Sequence, residues 1–296
     1  MRLRMLVTGA AGQLGYDVVK SLEAAGHHVL GCDREQMNIT DQQQCTDQIE
    51  AFQPDVIVHC AAFTAVDQAE TDIDTAFAIN AAGTRNITAA AEKVKAKLVY
   101  ISTDYVFDGT GDTPYQEYDI PNPQSVYGKS KLAGEQLVQS LSTRWFIIRT
   151  SWVFGSHGSN FVRTMLGLMT ERPQLQVVHD QKGSPTYTVD LAQLVAELAV
   201  SEKYGMYHAS NAGSCTWYEF AQAIAEEAKK QGFFQAAAHS AQIIPCTTSQ
   251  FPRPAPRPAY SVMDHLGIRM NGLQSMRPWR EALIAFLHEL YTKKVN

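Results

Sequence analysis

Along the first half of the chain, short continuous apolar runs alternate with stretches whose apolar residues recur every three to four positions. Residues 3–7 form the first run, and Leu14, Val18, Val19 and Leu22 follow at helical spacing until Gly26 ends it. A second run covers 28–32, and a helix is expected over about 41–52. Residues 54–60 are then almost continuously apolar, as a strand covered on both faces of a parallel sheet requires. A long helix carrying Phe77, Asn80, Ile87 and Ala91 comes next, then a run over 97–101, a helix over about 126–141 and a run over 145–148. Five strands alternating with four helices predict an α/β fold, a Rossmann-like doubly wound parallel sheet.

The second half alternates less regularly. Asn160-Phe161-Val162 opens a helix that stops near Arg172-Pro173, and Val177-Val178 reads as a short strand. Leu191, Leu194, Val195 and Leu198 mark one face of a helix over 189–200, and a second amphipathic helix spans 217–229. Phe251 to Pro258 carries four prolines and cannot be helix or central strand. A final helix ends near Tyr291. The expected division is a dinucleotide-binding domain over 1–151, to which 184–209 returns, and a smaller C-terminal α/β substrate lobe made of 152–183 and 210–296.

Chemistry enters at the ends of the strands. Gly9, Gly12 and Gly15 form G-x-x-G-x-x-G between the first strand and the first helix. There, small residues let the backbone approach a pyrophosphate whose charge sits at the helix N-terminus. The second strand ends at Asp33, eighteen residues beyond Gly15 and suited to an adenosine ribose 2′-OH. Arg34 beside it suits a 2′-phosphate instead, so NADPH and NADH both remain open as cofactors. Thr103 lies beyond the fourth strand, where ligands of doubly wound sheets bind. Tyr127 and Lys131 are four apart on a helix and share a face. An ammonium beside a phenol stabilises tyrosinate and would lower a phenol pKa of about 10 toward neutral, giving a usable proton donor. Arg253 and Arg257 lie in the proline-rich stretch, where they would form either an anion clamp or a solvated linker.

Composition narrows the classes. A net charge of −5 argues against a nucleic-acid or anionic-membrane surface, and no run approaches the ~20 apolar residues of a membrane span. The amino terminus enters a strand almost at once, without a signal peptide's apolar stretch. Five scattered cysteines never fall in C-x-x-C spacing, and the nine histidines form no ligand cluster. A cytoplasmic protein without a metal site is expected.

Several longer strings together carry a resemblance. Ala61-Ala62-Phe63-Thr64-Ala65-Val66-Asp67, Ser102-Thr103-Asp104-Tyr105-Val106-Phe107-Asp108-Gly109 and Tyr127-Gly128-Lys129-Ser130-Lys131-Leu132-Ala133-Gly134-Glu135 resemble the dTDP-4-dehydrorhamnose reductases of the extended short-chain dehydrogenase/reductase superfamily. Arg149-Thr150-Ser151-Trp152, Asp180-Gln181-Lys182-Gly183-Ser184-Pro185-Thr186 and Arg257-Pro258-Ala259-Tyr260-Ser261 extend the likeness over essentially the whole chain. The resemblance implies NAD(P)H-dependent reduction of a dTDP-4-keto-6-deoxyhexose to dTDP-L-rhamnose. Tyr127 would protonate the ketone oxygen, Thr103 would orient it, and Lys131 would hold the nicotinamide ribose. It further implies that Gln13, Leu14, Asn38, Ile39, Ala61, Ala62 and Phe63 line the cofactor, and that Asp104, Tyr105 and Trp152 contact the dTDP-sugar. Asn38 departs from the Asp often found there, and His59 from an Asn; His59 reads as a strand-end residue without a catalytic role.

Two other functions compete. One is a non-catalytic, NADP-binding regulatory subunit of the same fold, against which the intact Thr103, Tyr127 and Lys131 argue. The other is a nucleotide-sugar epimerase or dehydratase; Thr103-Asp104-Tyr105 lacks the acidic residue expected after the Asp of a dehydratase. A monomer or homodimer acting on a dTDP-sugar is the expected form.

Overall fold

The computed structural model describes residues 2–234 and 241–295. Its longer strands, in chain order, are β1 (Arg4–Thr8), β2 (His28–Cys32), β3 (Val56–His59), β4 (Lys97–Thr103), β5 (Trp145–Thr150), β6 (Gln174–Val178), β7 (Gly205–His208) and β8 (Gln242–Cys246). Its longer helices are α1 (Gln13–Ala24), α2 (Gln42–Phe52), α3 (Thr84–Lys93), α4 (Val126–Leu141), α5 (Phe161–Glu171), α6 (Thr188–Ala199), α7 (Trp217–Lys230) and α8 (Trp279–Val295). Strands β7, β5, β4, β3, β1 and β2 lie side by side in that order, all parallel. The order reverses at β1, so a crevice opens between the carboxyl ends of β1 and β3, where open α/β sheets bind ligands.

Both faces of this sheet are covered. On one, Leu14, Val18 and Leu22 of α1 and Leu191, Leu194 and Leu198 of α6 pack on Met5, Val7, Val58 and Ile148. On the other, Cys45, Ile49, Ile87, Ala91 and Val138 pack on Leu6, Ile57 and Leu98. Burial on two sides is why these strands read as continuous apolar runs. The sequence pattern predicts no strand at 205–208. Four residues beginning at a glycine leave no periodicity to read, and β7 is held by pairing with β5.

A second body holds β6 and β8, paired in parallel, under α5, α7 and α8. Val162, Met165, Phe220, Ile224, Leu283 and Phe286 fill it. No described helix is long and apolar enough to cross a membrane. The five cysteines are free, and Cys60 alone among them is not fully buried.

One predicted helix is divided. Residues expected as a continuous helix through Phe77 and Ala91 form a short turn of helix (Ile73–Phe77), a π-helical segment (Ala78–Gly83) and α3. Within the wide turn, the Asn80 carbonyl accepts a hydrogen bond from the Thr84 hydroxyl at 2.8 Å. The Asn80 carboxamide meanwhile bonds both backbone groups of Phe63, at 2.8 and 3.0 Å. Such single-turn widenings gather at functional sites, and Ala78 and Ile79 line the cavity described next.

Candidate active site

A cavity of about 1370 Å³ lies at the carboxyl ends of β1, β3, β4 and β5 and reaches into the second body. Sites for one drug-sized ligand occupy roughly 300–1,000 Å³, so there is room here for two ligands. Its walls include Gly9, Gly12, Gln13, Leu14, Gly15, Asp33, Arg34, Asn38, Ile39, Ala61 and Ala62 on one side. Thr103, Asp104, Tyr105, Tyr127, Lys131 and Trp152 lie on the other.

Close helix packing sets the reactive side chains. Ser125 caps α4 by accepting from the Gly128 amide at 3.1 Å, and Glu70 accepts from the Val126 amide at 2.8 Å. A Cβ on Gly128 would stand 3.0 Å from the Tyr105 carbonyl carbon, so only glycine lets α4 lie so near the end of β4. Tyr127 consequently meets Tyr105 edge-on, with centroids 5.5 Å apart, and is hydrogen-bonded to Thr103. Thr103 Oγ1 accepts from the Tyr105 amide at 3.2 Å and donates to Asp104 Oδ1 at 3.0 Å.

The electrostatics differ from the sequence expectation in one respect. Burial pushes the Tyr127 phenol up to about 12, the Thr103 hydrogen bond pulls it back, and the Asp104 charge raises it further. Lys131 does not lower it. Its ammonium donates to the Ile101 carbonyl at 2.7 Å and lies 4.1 Å from the centre of the Tyr100 ring. Lys131 is only 2% exposed, and burial brings it down to about 7 against the opposing charges of Glu135 and Cys60. Asp104 is carried up to about 6 by burial, with hydrogen bonds from Ser261 and Thr103 opposing. At neutral pH Tyr127 therefore holds its proton firmly and Lys131 is poised between its two states.

The turn at Gly9–Leu14 fits a dinucleotide phosphate. A Cβ on Gly15 would stand 2.8 Å from the Gly9 carbonyl carbon, so the turn closes on the first turn of α1 only without one. Asp33 Oδ1 accepts from the Ala11 amide at 2.8 Å, which brings the end of β2 to this turn. Arg34 is exposed on the rim, without a hydrogen bond or ion pair among the described residues. The Asn38 side chain accepts from the Thr40 amide and hydroxyl, a local turn with no charge. Thr150 Oγ1 and Ser102 Oγ are buried without a protein partner in residues of the same wall. Unmet polar groups of this kind suit a polar ligand.

Two proposed contacts sit elsewhere. Phe63 is not in the cavity wall; Asn80 holds its backbone behind Ala61 and Ala62. Arg257 is likewise outside it. Its guanidinium pairs with Asp67 Oδ1 at 2.8 Å and stands 6.0 Å from the Tyr105 ring, while Arg253 reaches Asp67 at 3.7 Å. Sequence reasoning missed Trp217, which stacks on Trp152 with centroids 3.5 Å apart and also lines the cavity. Its position at the start of a helix, after Cys215-Thr216, carried no signal of its own. His59 bridges the Thr8 and Thr84 hydroxyls at 2.7 and 3.1 Å, out of the cavity. No cluster of metal-ligating side chains occurs among the described residues.

The chain matches known proteins over its length. A family model described as the RmlD substrate binding domain matches residues 2–292. The spore coat polysaccharide biosynthesis protein SpsK of Bacillus subtilis (strain 168) is 46% identical over 286 residues, 97% of each chain. A dTDP-4-dehydrorhamnose reductase of Aggregatibacter actinomycetemcomitans is 41% identical over 288 residues, 95% of this chain and 97% of that one. The crystal structure of a dTDP-4-dehydrorhamnose reductase from Bacillus anthracis str. Ames in complex with NADP shares the fold at a TM-score of 0.91. It is 43% identical and covers 98% of this chain and 100% of its own.

Proposed function

The chain belongs to the dTDP-4-dehydrorhamnose reductase family, and from that premise we propose how its own residues carry the reaction. It reduces the 4-keto group of dTDP-4-dehydrorhamnose, giving dTDP-L-rhamnose for cell-surface polysaccharide. Gly9–Leu14 and Asp33 would hold a nicotinamide dinucleotide, which when bound would supply the hydride for the ketone carbon. The Tyr127 phenol, kept protonated by burial, donates its proton to the carbonyl oxygen as charge develops there. Thr103 orients that oxygen, and once the phenol has given up its proton the Thr103 hydroxyl can turn its own proton from Asp104 to the phenolate. Lys131 adds positive charge on the cofactor side. Asp104, Tyr105 and Trp152 face the sugar, with Trp217 backing Trp152.

The observation that carries this reading is the convergence of Thr103, Tyr127 and Lys131 on one cavity with the glycine turn. The unpaired Arg34 supports a preference for NADPH over NADH. Residues 1–151 with 184–209 would hold the cofactor, and 152–183 with 210–296 the nucleotide-sugar. The enzyme would work in the cytoplasm as a monomer or homodimer. Mixing protein, dTDP-4-dehydrorhamnose and either NADPH or NADH should consume reduced cofactor and yield dTDP-L-rhamnose. NADPH bound without any turnover would instead point to the non-catalytic role.

A further inference from the structure

The apolar residues of α1 face the sheet, but Gln13, Tyr16 and Asp17 fall at i, i+3 and i+4 on another face of its first turns. That face grips the second body. Gln13 Oε1 accepts from Asn160 Nδ2 at 2.8 Å, and Gln13 Nε2 donates to the Val153 carbonyl at 3.1 Å. The Tyr16 ring stacks on His157 at 3.4 Å, while Asp17 accepts from the Thr188 hydroxyl and ties α1 to its neighbour α6 on the same sheet. The backbone of Gln13 belongs to the phosphate turn, so one residue touches both ligand regions.

The far end of this tie is equally specific. Val153 follows Trp152, whose φ of +47° lies in the left-handed region that bulky residues rarely adopt. The hydrogen bond to the Val153 carbonyl therefore restrains the Val153–Phe154 peptide, one residue beyond the strained one. Asn160 caps α5 by accepting from the Arg163 amide at 3.1 Å and also donates to the Gly155 carbonyl at 2.8 Å. Gly158 and Ser159, between these anchors, line the cavity with Gly12 and Gln13.

We infer that the Gln13–Asn160 pair couples the two ligand sites, transmitting occupancy of the phosphate turn to Trp152 and the first turn of α5. Both are positioning residues. A dinucleotide that fixes the Gln13 backbone fixes the direction of its carboxamide, and the carboxamide fixes residues 153–160. The second ligand's identity as a dTDP-sugar rests on the reductase reading; the coupling does not.

Hydrogen exchange of the full chain with and without NADP⁺ tests this. In the wild type, NADP⁺ should slow exchange both in α1 and at residues 161–165. Asn160→Asp keeps the cap acceptor but has no amide donor for Gln13, and Gln13→Leu removes the other half. Each should lose the slowing at 161–165 by about five-fold or more at saturating NADP⁺, the low end of ordinary site coupling, and in Asn160→Asp α1 should stay protected. In Asn160→Asp, KM for the dTDP-sugar should rise about five-fold, with kcat and NADP⁺ affinity within about three-fold of wild type. Undiminished slowing at 161–165 in both variants, or a wild type whose α5 ignores NADP⁺, would overturn the inference. Coupling without turnover of the keto-sugar would sink the reductase reading and leave the coupling standing.

Discussion

Replacing Lys131 by Met should stabilise the cofactor-free protein while destroying its activity. The ammonium is 2% exposed, and its folded pKa of about 7 lies far below the ordinary 10.5. At 1.36 kcal/mol for each tenfold change in proton affinity, that displacement corresponds to about 5 kcal/mol. The sign follows from proton counts. Between pH 7 and 10.5 the unfolded chain holds a proton that the folded chain has released, so stability rises with pH across that window. The burial cost is fully present below pH 7 and relieved as pH approaches 10.5. Methionine removes the charge but leaves the Ile101 carbonyl without its 2.7 Å donor, which costs about 1–3 kcal/mol. The net gain at pH 6 is then about 2–4 kcal/mol, or about 3–6 °C in Tm for a chain of this length. Calorimetry of the two proteins at pH 6 and pH 9.5 reads it directly. A wild type as stable as the variant at pH 6, or a gain that does not shrink by pH 9.5, would refute the reasoning.

Three further substitutions separate the parts of the site. Tyr127→Phe should lower kcat by ~10²–10⁴-fold, the scale of general acid catalysis, with NADP⁺ affinity by titration unaltered; full turnover would remove Tyr127 as the acid. Gly15→Ala should weaken NADP⁺ binding about tenfold or more, equivalent to 1.4 kcal/mol, because its Cβ presses on the Gly9 peptide; wild-type affinity would show that the turn can open freely. Glu135→Gln leaves Arg149 buried without the carboxylate it meets at 2.7 and 2.9 Å. Loss of one partner from such a pair costs about 3–5 kcal/mol, and a Tm fall of about 5–8 °C is expected; a fall below about 1 °C would contradict it.

The parts legible in the sequence were those set by local rules. The glycine turn and the buried strands are short-range patterns, and Thr103 follows from the end of an apolar run. The state of Tyr127 was not legible, because i,i+4 spacing fixes which Cβ atoms are neighbours but not where long side chains end. Lys131 reaches back to β4 and the Ile101 carbonyl, and Thr103 becomes the phenol's partner. Arg257 shows the same limit from the other side. A cation in a rigid proline-rich run suggested an anion clamp, yet Asp67, far off in sequence, already holds it. The π-helical turn at Asn80 was hidden because its cause is the Phe63 backbone, which only the fold brings near.

Burial acts on the two central groups in opposite directions, and this gives the site a testable proton linkage. It favours the neutral phenol of Tyr127 and the neutral amine of Lys131, so the empty cavity carries little charge of its own there. NADPH brings several negative charges, and an opposite charge nearby restores the ammonium form of a buried lysine. Binding at pH 8, where Lys131 is mostly deprotonated, should therefore take up about one proton. Calorimetric titration in two buffers of different ionisation heat measures that uptake, and it should disappear in Lys131→Met. The same linkage requires NADPH affinity to fall as pH rises from 7 toward 10.5. Binding at pH 8 without proton uptake would mean that Lys131 stays neutral beside the cofactor, and its role as a charge partner would have to be abandoned.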